Sequence, residues 1–544
     1  MEFKYRVDGR GRMEEDIVED ILKARNIKDV RHFLNPSKQD LISPLKLTRI
    51  DEAADLVLDA VDEKKRIFVN LDSDLDGVSA GTIIYRWLEQ QYGEDADQLG
   101  WSINEGKTHG MTPEIVQKMA DFQPDLIIIV DSLDNHLRAY RTIKEATGAD
   151  IIVLDHHMIN PVIDYDSEII LVSSQRDYPN KGLCGAGVAY KFVEYLNMLA
   201  PYPFDRGLIE LAAAGTVGDV MSLDEDHMEN RAIVAMALRG TKPINYFTQE
   251  IVGRFEFNAK SFSFSVAPLI NAANRLKENE LAAQCVLFDT VRDVSKDVKK
   301  LKALKDKQNA LVDKAMVEIN KQIESEEDRS FVCTIIDESI SELSGLIANK
   351  LMSEKGKPAL VLVERPYGYS GSGRASTVAD FNQLCMDTGL AQCAGHENAF
   401  GIVKLNYEDF DNFCKKLDNI LESEGASKPV IEVDCLIEPE DMTTDLIERV
   451  KYVDRISGNG FPSLEFAVVL DDYFVSTMSK GKHIVFFLMD CSAVFIQWNH
   501  GGSLEEYEEH AINHHKMLLT GSLECGNMGK YDRRMMINHI EFEN

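Results

Sequence analysis

The sequence lacks long hydrophobic runs, paired cysteines and any excess of positive charge. No apolar run approaches the roughly 18 residues of a membrane span, so we expect no membrane partner. The first residues, MEFKYRVDGRGRMEED, lack the apolar core of a signal peptide. The nine cysteines include no Cys-x-x-Cys pair, which argues against a zinc site or a disulfide framework. We therefore expect a cytoplasmic protein with reduced cysteines.

The shortage of positive charge bears directly on the class of partner. Lysine and arginine number 59 against 91 aspartate and glutamate, so the net charge is -32. Nucleic-acid-binding proteins usually carry a basic face. Two interpretations remain open: an acidic enzyme without a polyanionic partner, or a narrow basic groove on an acidic shell. Either one argues against tight binding over a long stretch of DNA.

The length indicates several domains. The chain has 544 residues, whereas single hydrophobic cores stop growing near 250–300 residues. Residues 65–240 alternate apolar strand patterns with helical patterns, which predicts a doubly wound parallel α/β sheet. The Lys-rich stretch KDVKKLKALKDKQNALVDKAMVEINKQI has a helical period and predicts one long helix. A further α/β pattern follows it.

The stretch FVNLDSDLDGVSAGTIIY, from Phe68 to Tyr85, is the most informative one in the chain. A buried-strand pattern leads into Asp72, Asp74 and Asp76, and then into a helical pattern. Three carboxylates this close repel one another, and a hard divalent cation such as Mg²⁺ or Mn²⁺ relieves that repulsion. A solvated acidic turn is the alternative interpretation of this stretch alone.

Three later stretches favour the metal interpretation. DLIIIVDS ends on Asp131, ADIIVLDHHM ends on Asp155, His156 and His157, and LAAAGTVGDVMSL carries Asp219 after a small-residue helix or strand. Side chains at successive strand ends converge at the carboxyl edge of a parallel sheet, where open α/β folds place their sites. Carboxylates with imidazoles suit Mn²⁺ or Mg²⁺ better than a structural zinc.

The ordered motifs DSDLDG, VDS, DHH and GDV resemble those of the DHH phosphoesterase superfamily. Within it, the chain is most similar to the RecJ family of single-strand-specific 5′-to-3′ DNA exonucleases. The resemblance implies a DHH catalytic domain, a connecting helix, an α/β DHHA1 substrate-binding domain and a C-terminal OB-like β-barrel domain. The expected boundaries are a helical lead-in at 1–50, then 51–276, 277–327, 328–428 and 429–544.

The resemblance also implies a two-metal site. One Mn²⁺ or Mg²⁺ ion would be held by Asp74 and Asp131 with Asp72. The other would be held by Asp76, Asp131, His156 and Asp219, with Asp131 bridging. His157 would contact the scissile phosphate, and Asp155 would orient a neighbouring histidine rather than bind metal.

Substrate-binding residues are implied in two later segments. FSFSVAPLINAANRL matches the family at Asn271 and Arg275 but has Leu269 and Asn274 where the family usually has Arg and Gly. GYSGSGRAST is expected to form a glycine-rich turn that presents Ser372, Gly373 and Arg374 to a phosphate. AGHENAFG adds His396. In the OB-like domain at 429–544, the available aromatic residues for base stacking are Phe474, Phe486, Phe487, Phe495 and Trp498.

Three functions remain in view. The leading one is an exonuclease on single-stranded DNA, with a single-strand-binding protein or a helicase as a further partner. The alternative is a phosphodiesterase on short oligonucleotides or cyclic dinucleotides, which the acidic charge and Leu269 favour. A non-catalytic replication scaffold is the third, and the complete set of ligand-type residues argues against it.

Overall fold

The computed structural model describes residues 2–12, 16–106, 110–200, 205–289, 293–323, 329–424, 430–488, 493–498, 500–525 and 533–543. The chain divides into two compact units. The first comprises Met1–Ser102, Gly110–Ala267 and Val430–Asn544, and the second comprises Ile103–His109 and Pro268–Pro429. Within the described residues, no helix is both long enough and apolar enough to cross a membrane.

The first unit contains the predicted parallel α/β sheet. In spatial order its strands are Leu99–Ile103, Ile67–Leu71, Leu126–Val130, Asp150–Asp155 and Ile170–Ser173. Neighbouring strands from Ile67–Leu71 to Ile170–Ser173 are parallel. Strands buried on both faces are nearly continuous apolar runs, as in LIIIV and DIIVLD. The fold class predicted from the sequence is confirmed.

Helices cover both faces of this sheet. Pro113–Phe122 and Leu137–Thr147 share one apolar core with Phe68 and Ile127. Leu75–Tyr92 and Gly185–Leu199 pack against each other and against the strands from the other side. The remaining helices of this region are Ile50–Asp62, Gly207–Gly218, Met228–Ala237, Tyr246–Val252 and Ala259–Ser261, followed by a π-helical turn at Phe262–Val266. The next helix, Ala267–Arg275, belongs to the second unit from Pro268 onward.

A second, mixed sheet of eight strands completes the first unit. In spatial order its strands are Glu2–Asp8, Val430–Ile437, Phe466–Leu470, Lys516–Cys525, Arg533–Glu543, Val494–Gln497, His483–Leu488 and Tyr473–Met478. Its helices are Ile17–Ala24, Val30–Leu34, Thr444–Asp454 and Leu504–Ile512. The strand Glu2–Asp8 was not predicted, because its parallel partner Val430–Ile437 lies at the other end of the sequence.

The aromatic side chains of this mixed sheet divide between core and surface. Phe486 and Phe495 are fully buried in the apolar core. Phe474 is 57% exposed and Trp498 is 46% exposed. Of these four rings, the last two are the ones that a ligand could reach. That this sheet acts as an OB-like barrel stays a prediction.

The second unit is built on a five-stranded sheet. In spatial order its strands are Ala391–His396, Ala399–Leu405, Gly368–Arg374, Ala359–Arg365 and Val332–Ile336. Its helices include Asn279–Leu287, Ser344–Lys355, Phe381–Asp387 and Phe410–Glu424. The Lys-rich stretch forms one helix of 29 residues, Ser295–Ile323, so that prediction is confirmed.

Candidate metal centre and substrate-binding residues

The acidic motif residues lie at the carboxyl end of the parallel sheet. Asp72 follows the strand Ile67–Leu71, and Asp131 follows the neighbouring strand Leu126–Val130. The chain leaves Ile67–Leu71 first toward Leu99–Ile103 on one side and then returns to Leu126–Val130 on the other. The two aspartates therefore emerge where the strand order reverses, which is where open α/β sheets bind ligands.

Asp74 and Asp76 belong to the start of the next helix. Asp74 caps the helix Leu75–Tyr92, and its Oδ1 accepts a hydrogen bond of 3.0 Å from the Gly77 amide. Asp76 is buried in the first turn of this helix. The three aspartates thus come from one strand-to-helix junction, as the spacing in the sequence predicts.

The Asp76 carboxylate sits on the N-terminus of another helix. Its Oδ2 accepts a 2.7 Å hydrogen bond from the Gly185 amide, and its Oδ1 accepts a 2.8 Å bond from the Ala186 amide. The positive end of the helix Gly185–Leu199 stabilises the negative charge there. Sequence analysis missed this contact, although the Gly-Ala-Gly helix start was its signal.

Two glycines make room for the carboxylates of Asp131 and Asp76, because a glycine has no side chain. A Cβ atom on Gly185 would lie 2.6 Å from Oδ1 of Asp131. A Cβ atom on Gly215 would overlap Oδ1 of Asp76 and lie 2.6 Å from the Ala186 Cβ. Both glycines are therefore part of the site, because no larger residue permits this approach.

His156 lies among three carboxylates. Its Nε2 is 3.2 Å from Oδ1 of Asp131, 3.5 Å from Oδ2 of Asp219 and 3.8 Å from Oδ2 of Asp76. These side chains come from three widely separated motifs. The fold brings them to one point, as the convergence of strand ends suggests.

Asp219 reaches this point from a helix. It follows the helix Gly207–Gly218 as its C-terminal cap. The sequence of the small-residue stretch before it is compatible with either a helix or a strand, and in the structure it forms a helix. The convergence of strand ends therefore does not extend to this motif, because residues 211–217 are buried in a helix rather than paired in the sheet.

Asp155 and His157 form a separate hydrogen-bonded pair beside the cluster. Nδ1 of His157 donates to Oδ1 of Asp155 at 3.0 Å, while Oδ2 of Asp155 accepts a 2.7 Å bond from the Leu133 amide. The hydrogen bond to Asp155 raises the pKa of His157 to about 9. Burial raises the pKa of Asp155, but the bonds and charge of His157 outweigh it and hold that pKa below its ordinary value.

Asp131 and Asp219 carry an unrelieved electrostatic cost. Burial, then the nearby charges of Asp76 and Asp74, raise the pKa of Asp131 well above its ordinary value. The same causes raise the pKa of Asp219 to about 8. Oδ1 of Asp131 is buried and has no hydrogen-bond partner among the described residues. A cation at this position would reduce the repulsion between the carboxylates and would give Oδ1 of Asp131 a partner.

The donor atoms fit a divalent cation. Among the residues that the structure describes, three sets have ligand atoms within 4.8 Å of one another: Asp72 with Asp74 and Asp131, Asp76 with His156 and Asp219, and Asp131 with His156 and His157. Because Nδ1 of His157 is engaged by Asp155, the first two sets are the better ligands. Oxygen donors with one imidazole suit Mn²⁺ or Mg²⁺.

In the second unit, two of the expected substrate-binding residues form a cationic cluster. Nη1 of Arg275 donates to Oε1 of Gln308 at 3.3 Å, and Nη1 of Arg374 donates to the Gly373 carbonyl at 2.7 Å. Burial, then the charge of Arg374, lower the pKa of Arg275. Burial, then the charge of Arg275, lower the pKa of Lys305. Sequence analysis did not single out Lys305 among the lysines of the long helix.

The segment expected to be a glycine-rich turn is a strand, so that prediction is wrong. Gly368–Arg374 pairs with Ala359–Arg365 on one side and with Ala399–Leu405 on the other. A Cβ on Gly371 would overlap the Val361 carbonyl, and one on Gly373 would overlap the Phe400 ring. The glycines therefore serve close strand packing rather than a turn.

The other expected contacts lie on the same sheet or beside it. Oγ of Ser372 is 2.9 Å from Oγ of Ser344, the first residue of the helix Ser344–Lys355. His396 is exposed at the end of an edge strand. Asn271 is half-buried on the helix Ala267–Arg275. Sequence analysis did not find Ser344, which becomes visible only when the helix start meets the strand.

A parallel sheet with aspartates and histidines gathered where its strand order reverses is an open α/β domain with a candidate metal centre at its switch point. Residues 66–216 match the family described as DHH family, N-terminal domain. A Bacillus subtilis protein described as a putative SPbeta prophage-derived single-strand DNA-specific exonuclease, YorK, is 30% identical over 438 residues, 73% of each chain. The single-stranded-DNA-specific exonuclease RecJ of B. subtilis is 26% identical over 443 residues, 78% of this chain and 54% of that protein.

A solved structure of a RecJ protein has the same fold as this chain. A crystal structure of RecJ from Thermus thermophilus in complex with Mn²⁺ superposes with a TM-score of 0.75 at 22% identity, covering 96% of this chain and 76% of that one. The chain therefore belongs to the RecJ-like group of the DHH superfamily.

Proposed function

We propose that this protein is a divalent-metal-dependent phosphodiester hydrolase that removes nucleotides from the 5′ end of single-stranded DNA. The observation that carries the proposal is the convergence of three carboxylates on Nε2 of His156, at 3.2, 3.5 and 3.8 Å. The descriptions of two relatives support single-stranded DNA as the substrate, since YorK and RecJ are both described as single-strand-specific DNA exonucleases.

Two ions, Mn²⁺ or Mg²⁺, would occupy the centre. Asp72, Asp74 and Asp131 would hold one, and Asp76, Asp131, His156 and Asp219 would hold the other, with Asp131 shared. The orphaned buried oxygen of Asp131 supports this assignment. Bound divalent ions lower the pKa of coordinated water and polarise the phosphate.

His157 would supply a positive charge beside the candidate metal centre, and Asp155 would orient its ring. The hydrogen bond to Asp155 raises the pKa of His157 to about 9, which favours the cationic form of the imidazole, and the side chain is 57% exposed. Its Nδ1 is engaged by Asp155, so Nε2 is the atom that donates to a phosphate oxygen. Asp155 fixes the ring and sustains the charge without contacting the substrate.

The second unit would hold the phosphates of the strand. The proposed contacts are Asn271, Arg275, Ser372, Gly373, Arg374 and His396. Guanidinium groups whose charge is incompletely solvated favour an anionic partner, and burial lowers the pKa of both arginines. We retain the division into lead-in, DHH, connecting helix, DHHA1 and OB-like domains, and the exposed rings of Phe474 and Trp498 are the proposed base-stacking residues of the last.

A second candidate function has specific support. The net charge of -32 opposes a long DNA footprint, and Leu269, which is 6% exposed, occupies a position where the family usually has Arg. A phosphodiesterase on short oligonucleotides or cyclic dinucleotides would need fewer phosphate contacts. A single-strand-binding protein or a helicase, in the cytoplasm, would be a partner only for the first function.

One assay distinguishes the two. A 5′-labelled single strand, a 3′-labelled single strand, a blunt duplex and a dinucleotide are digested side by side with Mn²⁺. The exonuclease proposal predicts stepwise loss from the 5′ end of the single strand and little loss from the duplex. Equal rates on duplex and single strand would refute it, and digestion of the dinucleotide alone would support the second candidate.

A further inference from the structure

The helix that precedes Asp219 ends in a tight capping arrangement. The Met221 amide donates to the Thr216 carbonyl at 3.0 Å, and the Val220 amide donates to the Val217 carbonyl at 3.3 Å. This pair of bonds is the Schellman motif, which requires a left-handed residue just after the cap. Val220 occupies that position, directly after the candidate metal ligand Asp219.

Valine is a poor residue for this position. Val220 has a φ of +56°, where glycine is usual and a β-branched side chain is rarely found. Its side chain is 62% exposed, so its burial contributes little stability to offset the backbone strain. Some other contact must hold the backbone of Val220 in this conformation.

A turn from the C-terminal part of the same unit makes that contact. Nδ2 of Asn459 donates a 2.7 Å hydrogen bond to the Val220 carbonyl. The Leu223 amide in turn donates to the Asn459 carbonyl at 2.8 Å. Asn459 therefore engages the loop after Asp219 at two points, three residues apart.

The turn itself is closely fitted to this loop. Gly458 and Phe461 exchange backbone hydrogen bonds of 2.8 and 3.2 Å around Asn459 and Gly460. Gly460 has a φ of +72°, and a Cβ atom there would overlap Oγ of Ser222. The side chain of Asn459 is thus presented from a turn with little freedom to move away.

We propose that Asn459 is a positioning residue for Asp219, and this inference rests on the proposed metal-dependent function. Its hydrogen bond holds Val220 in the left-handed conformation and so keeps the helix cap closed. The cap fixes the direction of Asp219, whose Oδ2 lies 3.5 Å from Nε2 of His156. Without the bond, Val220 relaxes toward negative φ, the cap opens and the carboxylate loses its place.

The test is a double-mutant cycle read out by Mn²⁺ binding to the full-length, metal-free protein in calorimetry. Asn459→Ala should raise the Mn²⁺ dissociation constant roughly three- to tenfold, as expected for one lost hydrogen bond, and the isosteric Asn459→Asp, which replaces the donor with a negatively charged acceptor, should raise it at least as much. Val220→Asn should bind normally, because asparagine tolerates the left-handed region. In the Val220→Asn background, Asn459→Ala should change the constant by less than about twofold.

Controls separate positioning from general stability. Asn35→Ala removes two exposed bonds, from Nδ2 to the Arg31 carbonyl at 2.8 Å and from the Tyr452 hydroxyl to Oδ1 at 3.3 Å, and should leave Mn²⁺ binding unchanged. For the single-strand substrate, Asn459→Ala should lower kcat with KM unchanged. Wild-type Mn²⁺ binding by Asn459→Ala, or an equal loss in both Val220 backgrounds, would overturn the inference.

A metal-independent measurement distinguishes failure of this inference from failure of the proposed function. In metal-free protein, amide hydrogen exchange at residues 219–223 should accelerate in Asn459→Ala and be restored by adding Val220→Asn. Unchanged exchange would overturn the positioning role even if the wild type binds Mn²⁺. A wild type that binds no Mn²⁺ would refute the proposed function instead.

Discussion

Replacing Gly215 with alanine should disable the candidate metal centre while leaving the fold intact. The new Cβ would overlap Oδ1 of Asp76 and lie 2.6 Å from the Cβ of Ala186. Asp76 would have to move, and it would then lose its bonds from the Gly185 and Ala186 amides at 2.7 and 2.8 Å.

The expected energies can be weighed. Alanine in a helix interior is favoured over glycine by about 1 kcal/mol. Overpacking a buried site costs about 1–3 kcal/mol. The gain in helix propensity offsets only part of the overpacking and of the two lost hydrogen bonds, which are worth about 0.5–1.5 kcal/mol each, so Gly215→Ala should still fold but with a lower melting temperature. Displacing a candidate ligand carboxylate has no compensation at the metal centre, so we also expect at least a roughly tenfold weaker Mn²⁺ affinity, equivalent to about 1.4 kcal/mol.

Gly218→Ala is the matched control on the same helix. The nearest atoms to its Cβ would be carbons of the Leu75 side chain, at 3.0 to 3.2 Å, so a shift of a few tenths of an ångström accommodates it. Gly218 is the last residue of this helix, so alanine gains less helix propensity there than at Gly215. Calorimetric Mn²⁺ titration and turnover of a single strand should separate them, and wild-type affinity in Gly215→Ala would refute the argument that this glycine makes room for Asp76.

Three further predictions concern charge. Asp131→Asn should abolish hydrolysis yet raise the melting temperature of the metal-free protein, because burial and neighbouring carboxylates raise the pKa of Asp131; normal turnover would contradict the ligand assignment. The folded state raises the pKa of Asp219 from 3.8 to about 8. The resulting contribution to stability is fully present below the unfolded pKa and is lost as the pH rises through about 8. Thermal melts of metal-free protein should therefore show decreasing stability from about pH 4 to 8, restored by Mn²⁺, and a flat profile would count against the cluster. Arg374→Ala should weaken binding of a 5′-phosphorylated strand by about 1–3 kcal/mol, whereas Arg365→Ala, which removes an exposed pair with Glu338, should not.

The sequence predicts the parts of the fold that depend on local pattern. The strand patterns around Ile67–Leu71 and Leu126–Val130 and the long helix Ser295–Ile323 follow from apolar periodicity within each segment. The clustering of Asp131 and His156 follows from a general property of parallel sheets. These features need no knowledge of distant partners.

Features that depend on distant partners could not be predicted. The strand Glu2–Asp8 exists because Val430–Ile437 pairs with it. The run GYSGSGR looks like a turn because glycine disfavours strands, but strands on both sides and the Phe400 ring require its small residues. The bonds from Gly185 and Ala186 to Asp76 likewise join two motifs that the sequence keeps far apart.

Removing and restoring metal tests the central claim most directly. The full-length protein is treated with EDTA, dialysed and assayed on a 5′-labelled single strand, first without added metal and then across a Mn²⁺ titration. The account predicts no hydrolysis without metal, restored hydrolysis as Mn²⁺ is added, and no restoration in Asp131→Asn. Full turnover by the metal-free protein, or restored turnover by the Asp131→Asn variant, would contradict it.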